Sequence, residues 1–353
     1  MSEGAAGPVP EERAPGQVAA LMQVLGPVLG LLGTYLLFAF IAPPSFRGLD
    51  NLTTIARQTA IVGAGALGMT MIMISGAIDL SVGSVVALSS VVIAWLLHQA
   101  EVSHPVGLIP VVVAWLLQDP AMRPLLAALG GISAGSLVGL VSGLLVTSLR
   151  VVPFIVTLGM MLAVRGLAKA LAHEQKIDAP LSGLQHLTAT LPPERQWMLV
   201  PAGVWLVVIL AVVVAGLLRY TRFGRHVFAI GSNEQTARLC GVPVSRVKVL
   251  TFLLGGAFFG LGGLLQFSRL TVGDPTAAQG LELDVIAAVV IGGGSFSGGE
   301  GSVLGTIVGA LIMTVIRSGC SQMGLPNWVQ EMVTGTIIVL AVAVDRLRHR
   351  RMA

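Results

Sequence analysis

Apolar runs at 20–42, 54–75, 80–98, 105–118, 124–148, 152–172, 198–218, 248–268, 283–297, 301–318 and 327–345 occupy most of this 353-residue chain. A helix that crosses a bilayer needs roughly 20 apolar residues, and most of these runs come close to that length. Inside hydrocarbon, backbone N–H and C=O groups must be satisfied within the chain, so such runs read as helices. Charged residues make up 11% of the sequence, against about 25% in a soluble domain. The fold class is therefore an all-α polytopic membrane protein.

One run departs from the others. The 105–118 stretch is short, is cut by Pro110 and ends in Gln118-Asp119-Pro120. Read as an interfacial or re-entrant piece, it leaves about ten spans. Both termini then share a side with the 219–248 loop, and Arg150, Arg346, Arg348, Arg350 and Arg351 fall there too. An excess of Lys and Arg marks the cytoplasmic side, so charge and parity agree. Segments 43–53, 99–123, 173–197 and 269–283 fall outside, with charges of mixed sign and proline pairs at 43–44 and 192–193. The 283–297 run is short and glycine-rich, as for a half-span or an irregular one. On this division, residues 1–19 form a disordered cytoplasmic tail, 20–346 a single transmembrane domain and 347–353 a basic tail.

The 219–248 loop is the polar island of the chain. Arg219, Arg222, Arg225, Arg238, Arg246 and Lys248 stand there against a single acid, Glu234. Its middle has the signs of a short helix: Ser232 or Asn233 as cap, Glu234 in the first turn, Arg238 in the last, Gly241 as stop. Such a helix has nothing to bury by itself. It either docks on something soluble or only fixes topology as a solvated loop.

Several chemistries are set aside. The net charge is +4 with only three lysines, spread over short loops and the tail, which suits membrane orientation better than nucleic acid. Cys240 and Cys320 are read as lying in loops on opposite sides, where they cannot pair. His98, His104, His173, His186, His226 and His349 show no metal-ligand spacing. No Gly-Lys dipeptide occurs, so there is no phosphate loop of the Walker type. No nucleophile triad can be argued either. The sequence reads as a transport subunit rather than an enzyme, with no cofactor bound by this chain. If ATP drives it, a separate chain binds that ATP.

Two stretches echo one another. Residues 76–85 (GAIDLSVGSV) and 294–303 (GSFSGGEGSV) are each a Gly/Ser break that opens an apolar helix. Paired breaks in corresponding halves occur near the pathway of internally repeated transporters. Asp79 either caps the helix beginning at Leu80 or takes part in passage of substrate; Glu300 has the same two readings. Arg165 and Lys169 share one helix face and either snorkel to headgroups or line a polar entrance. Glu331 is equally open. Gly63, Gly65 and Gly68 fit GxGxxG but lie within an apolar span. Like Gly135/Gly139/Gly143, Gly256/Gly260 and Gly305/Gly309, they read as helix-packing faces.

With these residues in view, the chain resembles the permease subunits of bacterial ABC sugar importers, of the ribose, xylose, arabinose and galactose type. Four blocks carry the likeness: 75–84; 153–159 with 165–168; 221–225 with 229–234, 237–238 and 241–242; and 282–293 continuing through Ser295 and 298–301. They are spread over most of residues 50–345. The resemblance implies a type II-like importer fold of about ten helices, some broken, in the bacterial inner membrane. It implies a second permease copy, two ABC ATPase subunits carrying ATP and Mg, and an extracytoplasmic sugar-binding protein. The ATPases would dock on residues 224–242, with Gly231, Asn233, Glu234, Ala237, Arg238 and Gly241 as the coupling element. Asp79, Ser81, Gly83, Gly294, Ser295, Ser297 and Glu300 would belong to the translocation path and its hinges. The 99–123 stretch is longer and more proline-rich than the ribose type leads one to expect. Branched-chain amino-acid permeases are relatives of the same group. A rival from another class is an ion-coupled secondary transporter, which usually needs buried Asp, Glu or His relays. A third is a membrane scaffold or receptor without flux.

Overall fold

The computed structural model describes residues 17–99, 119 and 122–350. The expectations for 1–16, 105–118 and 351–353 lie outside the described residues. Twelve α-helices are described. They are α1 (Gln17–Ile41), α2 (Leu49–Ile74), α3 (Val82–Gln99), α4 (Arg123–Leu149), α5 (Pro153–Leu171) and α6 (Ala202–Tyr220). Then come α7 (Arg222–Ser232), α8 (Glu234–Leu239), α9 (Val244–Leu270), α10 (Leu281–Ile291), α11 (Val303–Gln322) and α12 (Asn327–Arg350). Two short strands, β1 (Ile177–Asp178) and β2 (Val272–Gly273), pair antiparallel with Ile177 opposite Gly273. Six helices, α2, α4, α5, α6, α9 and α11, are long and apolar enough to cross a membrane; Gly26–Ile41 and Val82–His98 are shorter apolar helices.

Burial sorts these helices into a core and a lipid-facing shell. The apolar stretch of α2 is 89% buried within the protein, that of α5 only 17%. So α2 is the central post, packed by α6, α9, α10 and α11, while α5 leaves most of its leucines and isoleucines exposed.

Two seams hold the core. Between α4 and α9 the glycines predicted to pack do so. A Cβ on Gly135 would strike the Gly256 carbonyl, one on Gly139 the Phe252 carbonyl, and one on Gly260 the backbone of Ile132. Without a hydrophobic force between helices in lipid, such close backbone approach supplies the van der Waals contact. Between α2 and α11 the seam is polar. Thr70 meets Thr306 at 2.8 Å, Thr59 meets Thr314 at 2.6 Å, and Asn51 accepts from Ser318 at 2.8 Å. Gly65 and Gly68 are also packing positions: Gly65 faces Val82 and Val285, and Gly68 faces the Gly255 carbonyl.

Four readings of the sequence change. Cys320 lies inside α11 and is buried, not in a loop, because that helix runs past residue 318 to Gln322. Helix α3 starts at Val82 rather than Leu80, since Asp79 and Ser81 form a turn of their own. Arg165 does not snorkel: its guanidinium donates to the carbonyls of Pro275 (3.0 Å) and Ala277 (2.6 Å), pinning the chain between α9 and α10. That segment also does not stay at the bundle's end. Gly83 packs against the Ala278 carbonyl, and both Val82 and Val285 meet Gly65, about two-thirds of the way along α2. Helices α3 and α10 therefore begin in the middle of the bundle. The 11-residue α10 is the half-length helix expected of the glycine-rich run.

Candidate functional site

The site is built from the polar loop upward. Helix α7 starts where the Thr221 hydroxyl accepts the Gly224 N–H at 3.2 Å. One residue, Asn233, separates α7 from α8, and its side chain accepts the Thr236 N–H at 2.9 Å. Of the two cap candidates, Asn233 is the cap. The stop is a Schellman turn: Gly241 takes φ +82°, its N–H donates to Arg238 (3.1 Å), and the Val242 N–H donates to Ala237 (3.0 Å). Glu234 sits in the first turn, where the helix dipole favours an anion. It holds Arg238 at 3.0 Å along α8 and Lys248 at 2.6 Å from α9. The Lys248 hydrogen bond is the chief reason its carboxyl lies below the usual glutamate range, partial burial opposing and Arg238 adding to the effect. Ala237 is buried, and Leu239 stands 89% exposed at the far end of the helix.

The base of this loop is fixed by three backbone segments meeting. Gly231, in the last turn of α7, lies so close to the Ile74 carbonyl and the Gly299 N–H that a Cβ there would overlap both. The Gly299 N–H itself donates to the Ile74 carbonyl at 2.9 Å. A Cβ on Gly298 would fall 2.7 Å from the Gly76 Cα and 3.0 Å from the Gly231 oxygen. Gly298 also has φ +83°, a conformation that strains any residue with a side chain. The predicted coupling element and the two echoing breaks thus touch at one point.

Within the breaks the predicted residues divide. In the second, the Ser295 N–H donates to the Glu300 carbonyl (3.3 Å) and the Ser297 N–H to the Ser295 hydroxyl (3.2 Å), closing a tight turn. Gly294 packs on Val289 at the end of α10. In the first, Asp79 Oδ1 accepts from the Ser81 N–H (2.8 Å) and hydroxyl (2.6 Å). Ser81 in turn offers the carbonyl that the Val85 N–H takes at 2.8 Å, opening α3. Asp79 is 1% exposed, and its Oδ2 has no hydrogen-bond partner. Gly83 is drawn toward Ala278 and Glu282. The set Asp79, Ser81 and Gly83 therefore lies toward the middle of the bundle, apart from Gly294, Ser295, Ser297 and Glu300.

Sequence reasoning passed over a second polar group. Asp284 on α10 is buried and ion-paired to Arg317 on α11 at 2.5 Å. Arg57 and Arg317 both lie within electrostatic range of Arg269. The run 301–318 hid this, because Arg317 reads there as the charge that ends a span.

Comparison with known proteins adds the family. The model described as "Branched-chain amino acid transport system / permease component" matches residues 51–342. Ribose import permease protein RbsC of Escherichia coli K12 is 33% identical over 321 residues, 90% of this chain and 93% of its own length. The ribose import permease of Bacillus subtilis 168 is 36% identical over 327 residues, 92% and 94%. The L-arabinose ABC transporter permease protein AraH of Azospirillum brasilense is 34% identical over 349 residues, 96% and 92%. No solved structure matches.

Proposed function

Because the chain belongs to the family of branched-chain amino acid transport system permease components, we propose that it is the membrane subunit of an ATP-driven importer that moves a simple sugar. The relatives named for ribose import and for L-arabinose transport, each matched over nine-tenths or more of both chains, favour a sugar. In this reading the chain sits in a bacterial plasma membrane with about ten crossings and both termini in the cytoplasm. It pairs with a second permease copy, and a binding protein delivers sugar from outside. Two ATPase subunits grip α8, with Leu239 and the Glu234–Arg238 surface at the contact.

One observation carries the mechanism: Gly231, Gly76 and Gly298 form a single junction. Motion of the ATPase pair displaces α8. Since no side chain cushions the junction, the displacement passes directly to the breaks after α2 and after α10. Those breaks tilt the helices of the core, opening the path alternately to each side. Gly231, Asn233, Glu234, Ala237, Arg238 and Gly241 transmit, and Asp79, Ser81, Gly83, Gly294, Ser295, Ser297 and Glu300 give way.

Uptake of labelled sugar in cells with the proton gradient collapsed and ATP intact tests this. Transport should continue; loss of transport with the gradient would indicate ion coupling. The family description itself favours a second reading, a branched-chain amino acid as cargo. Leucine competing with sugar uptake, or replacing it as cargo, would select that reading.

A further inference from the structure

Helices α2, α9, α10 and α11 bring four charged side chains into one region of the bundle. The polar seam sets the α2/α11 register: Thr70 against Thr306, Thr59 against Thr314, Asn51 against Ser318. Arg57 and Arg317 are therefore level. On the α2/α9 seam, Gly68 meets Gly255 and Gly262 faces Ile61. Continuing that antiparallel register brings Arg269 beside the same turn of α2. On the α10/α11 seam, Gly292 lies against Gly305 and Ala288 against Gly309. One turn further along α10 is Asp284, which the longer Arg317 side chain reaches at 2.5 Å.

This group is not a closed structural pair. The Asp284 side chain is 3% exposed, yet its Oδ1 has no hydrogen-bond partner. Arg317 is 45% exposed although Thr314, Ile316 and Ser318 around it are buried. The Arg317 side chain is thus left uncovered by this chain while its helix neighbours are packed. Nearby orphan atoms are mostly acceptors: Asp284 Oδ1, Gln58 Oε1 and Glu282 Oε2, against one donor, Arg57 Nε. Acceptors of this kind need a ligand that donates, which excludes an anion. Three guanidiniums outnumber the Asp284 and Glu282 carboxylates, which disfavours a bare cation. A hydroxyl both donates and accepts, so a neutral polyol satisfies carboxylate and guanidinium at once; a zwitterionic amino acid would do so too, and the ribose and L-arabinose relatives favour the polyol. Helix α10 begins at Leu281, three residues before Asp284, so its N-terminus lies beside this group.

We infer that Asp284 and Arg317, flanked by Arg57 and Arg269, form the station on the path that binds vicinal hydroxyls of the sugar. This rests on the sugar reading above.

The test is uptake of ribose, arabinose and galactose, and of deoxy analogues lacking single hydroxyls, by cells carrying Asp284→Asn or Arg317→Gln. Uptake of the preferred sugar should fall at least about tenfold, the scale of one charge-assisted hydrogen bond. Preference for the full sugar over one deoxy analogue should shrink, while ATPase co-purification stays unchanged. Unchanged uptake and unchanged preference would overturn the inference. If a single variant fails to insert, the double variant Asp284→Leu/Arg317→Met removes the pair without leaving a lone buried charge. A purely structural pair predicts normal uptake in that variant; the binding station predicts an inserted, ATPase-bound protein with uptake lost. Should the unaltered protein move no sugar at all, the sugar reading fails first, and the variants are not its cause.

Discussion

The N–H of Gly299 donates to the carbonyl of Ile74 at 2.9 Å, and Gly231 is lodged against both partners. This joins residues 225 positions apart in a contact where backbone meets backbone. Contacts of that kind have little compliance, because interiors are close-packed and respond to strain by shifting as units.

The first expectation concerns Gly231. Replacement by Ala puts a Cβ into the Ile74 carbonyl and the Gly299 N–H. Overpacking of this sort costs about 1–3 kcal/mol. Gly231→Ala should lower thermal stability in detergent and cut uptake, while Gly216→Ala, with open space around it on α6, should leave both unchanged. Equal behaviour of the two variants would remove the junction from the mechanism.

Glu234 separates coupling from stability. Arg238 is an exposed partner, worth about 0–1 kcal/mol, whereas Lys248 is largely covered and holds Glu234 more firmly. Glu234→Gln keeps the side-chain shape and one acceptor, so it should insert and lose no more than about 1–3 kcal/mol of stability. Uptake should nonetheless fall by about 5–150-fold, the range of ordinary coupling free energies. Normal uptake together with normal ATPase co-purification would count against α8 as the transmitting element.

The same carboxyl sets a pH window. Its value in the folded protein is depressed below the ordinary 4.5, first by the Lys248 hydrogen bond. A depressed carboxyl contributes stability that is fully present above its unfolded value and is lost as pH falls through the folded one. Any stability difference between the parent and Glu234→Gln should stay flat from neutral pH down to about 5, then vanish below the ordinary glutamate range. Melting curves of both proteins across that range check it. A difference that grows on acidification contradicts the sign.

The hydroxyl seam is expected to show pairwise coupling. Thr70 spends its proton on the Ala66 carbonyl at 2.7 Å, so Thr306 donates to Thr70. Thr70→Val leaves a buried hydroxyl without its acceptor, at a cost of about 1–3 kcal/mol. Thr70→Val/Thr306→Val should recover part of that loss, with a coupling energy of about 0.6 kcal/mol, as for hydrogen bonds between membrane helices. Strict additivity in the cycle would dissolve the seam as an interaction.

What the sequence disclosed, it disclosed through local chemistry. The cap at Asn233, the first-turn Glu234, the stop at Gly241 and the glycine faces of α4 and α9 are set by residues within a few positions of one another. The echo between residues 76–85 and 294–303 was legible as composition, and the structure gives it a place, since Gly76 and Gly298 touch. What stayed hidden is tertiary. Nothing near Arg165 announces the carbonyls of Pro275 and Ala277, and nothing in the run 301–318 announces Asp284. Such partners are fixed only when α3 and α10 are seen to start inside the bundle, alongside α2. A hydropathy pattern carries length but not depth, so it put residues 269–283 outside the bundle and missed its most polar level.

The central claim is that α8 faces the cytoplasm and is held there by a separate ATPase. Cys240 caps α8 and is exposed, while Cys320 is buried, so a membrane-impermeant maleimide reports on the helix directly. Intact cells should leave Cys240 unlabelled, inverted vesicles stripped of peripheral proteins should label it, and adding back the ATPase should shield it. Labelling of Cys240 from outside intact cells would contradict the account.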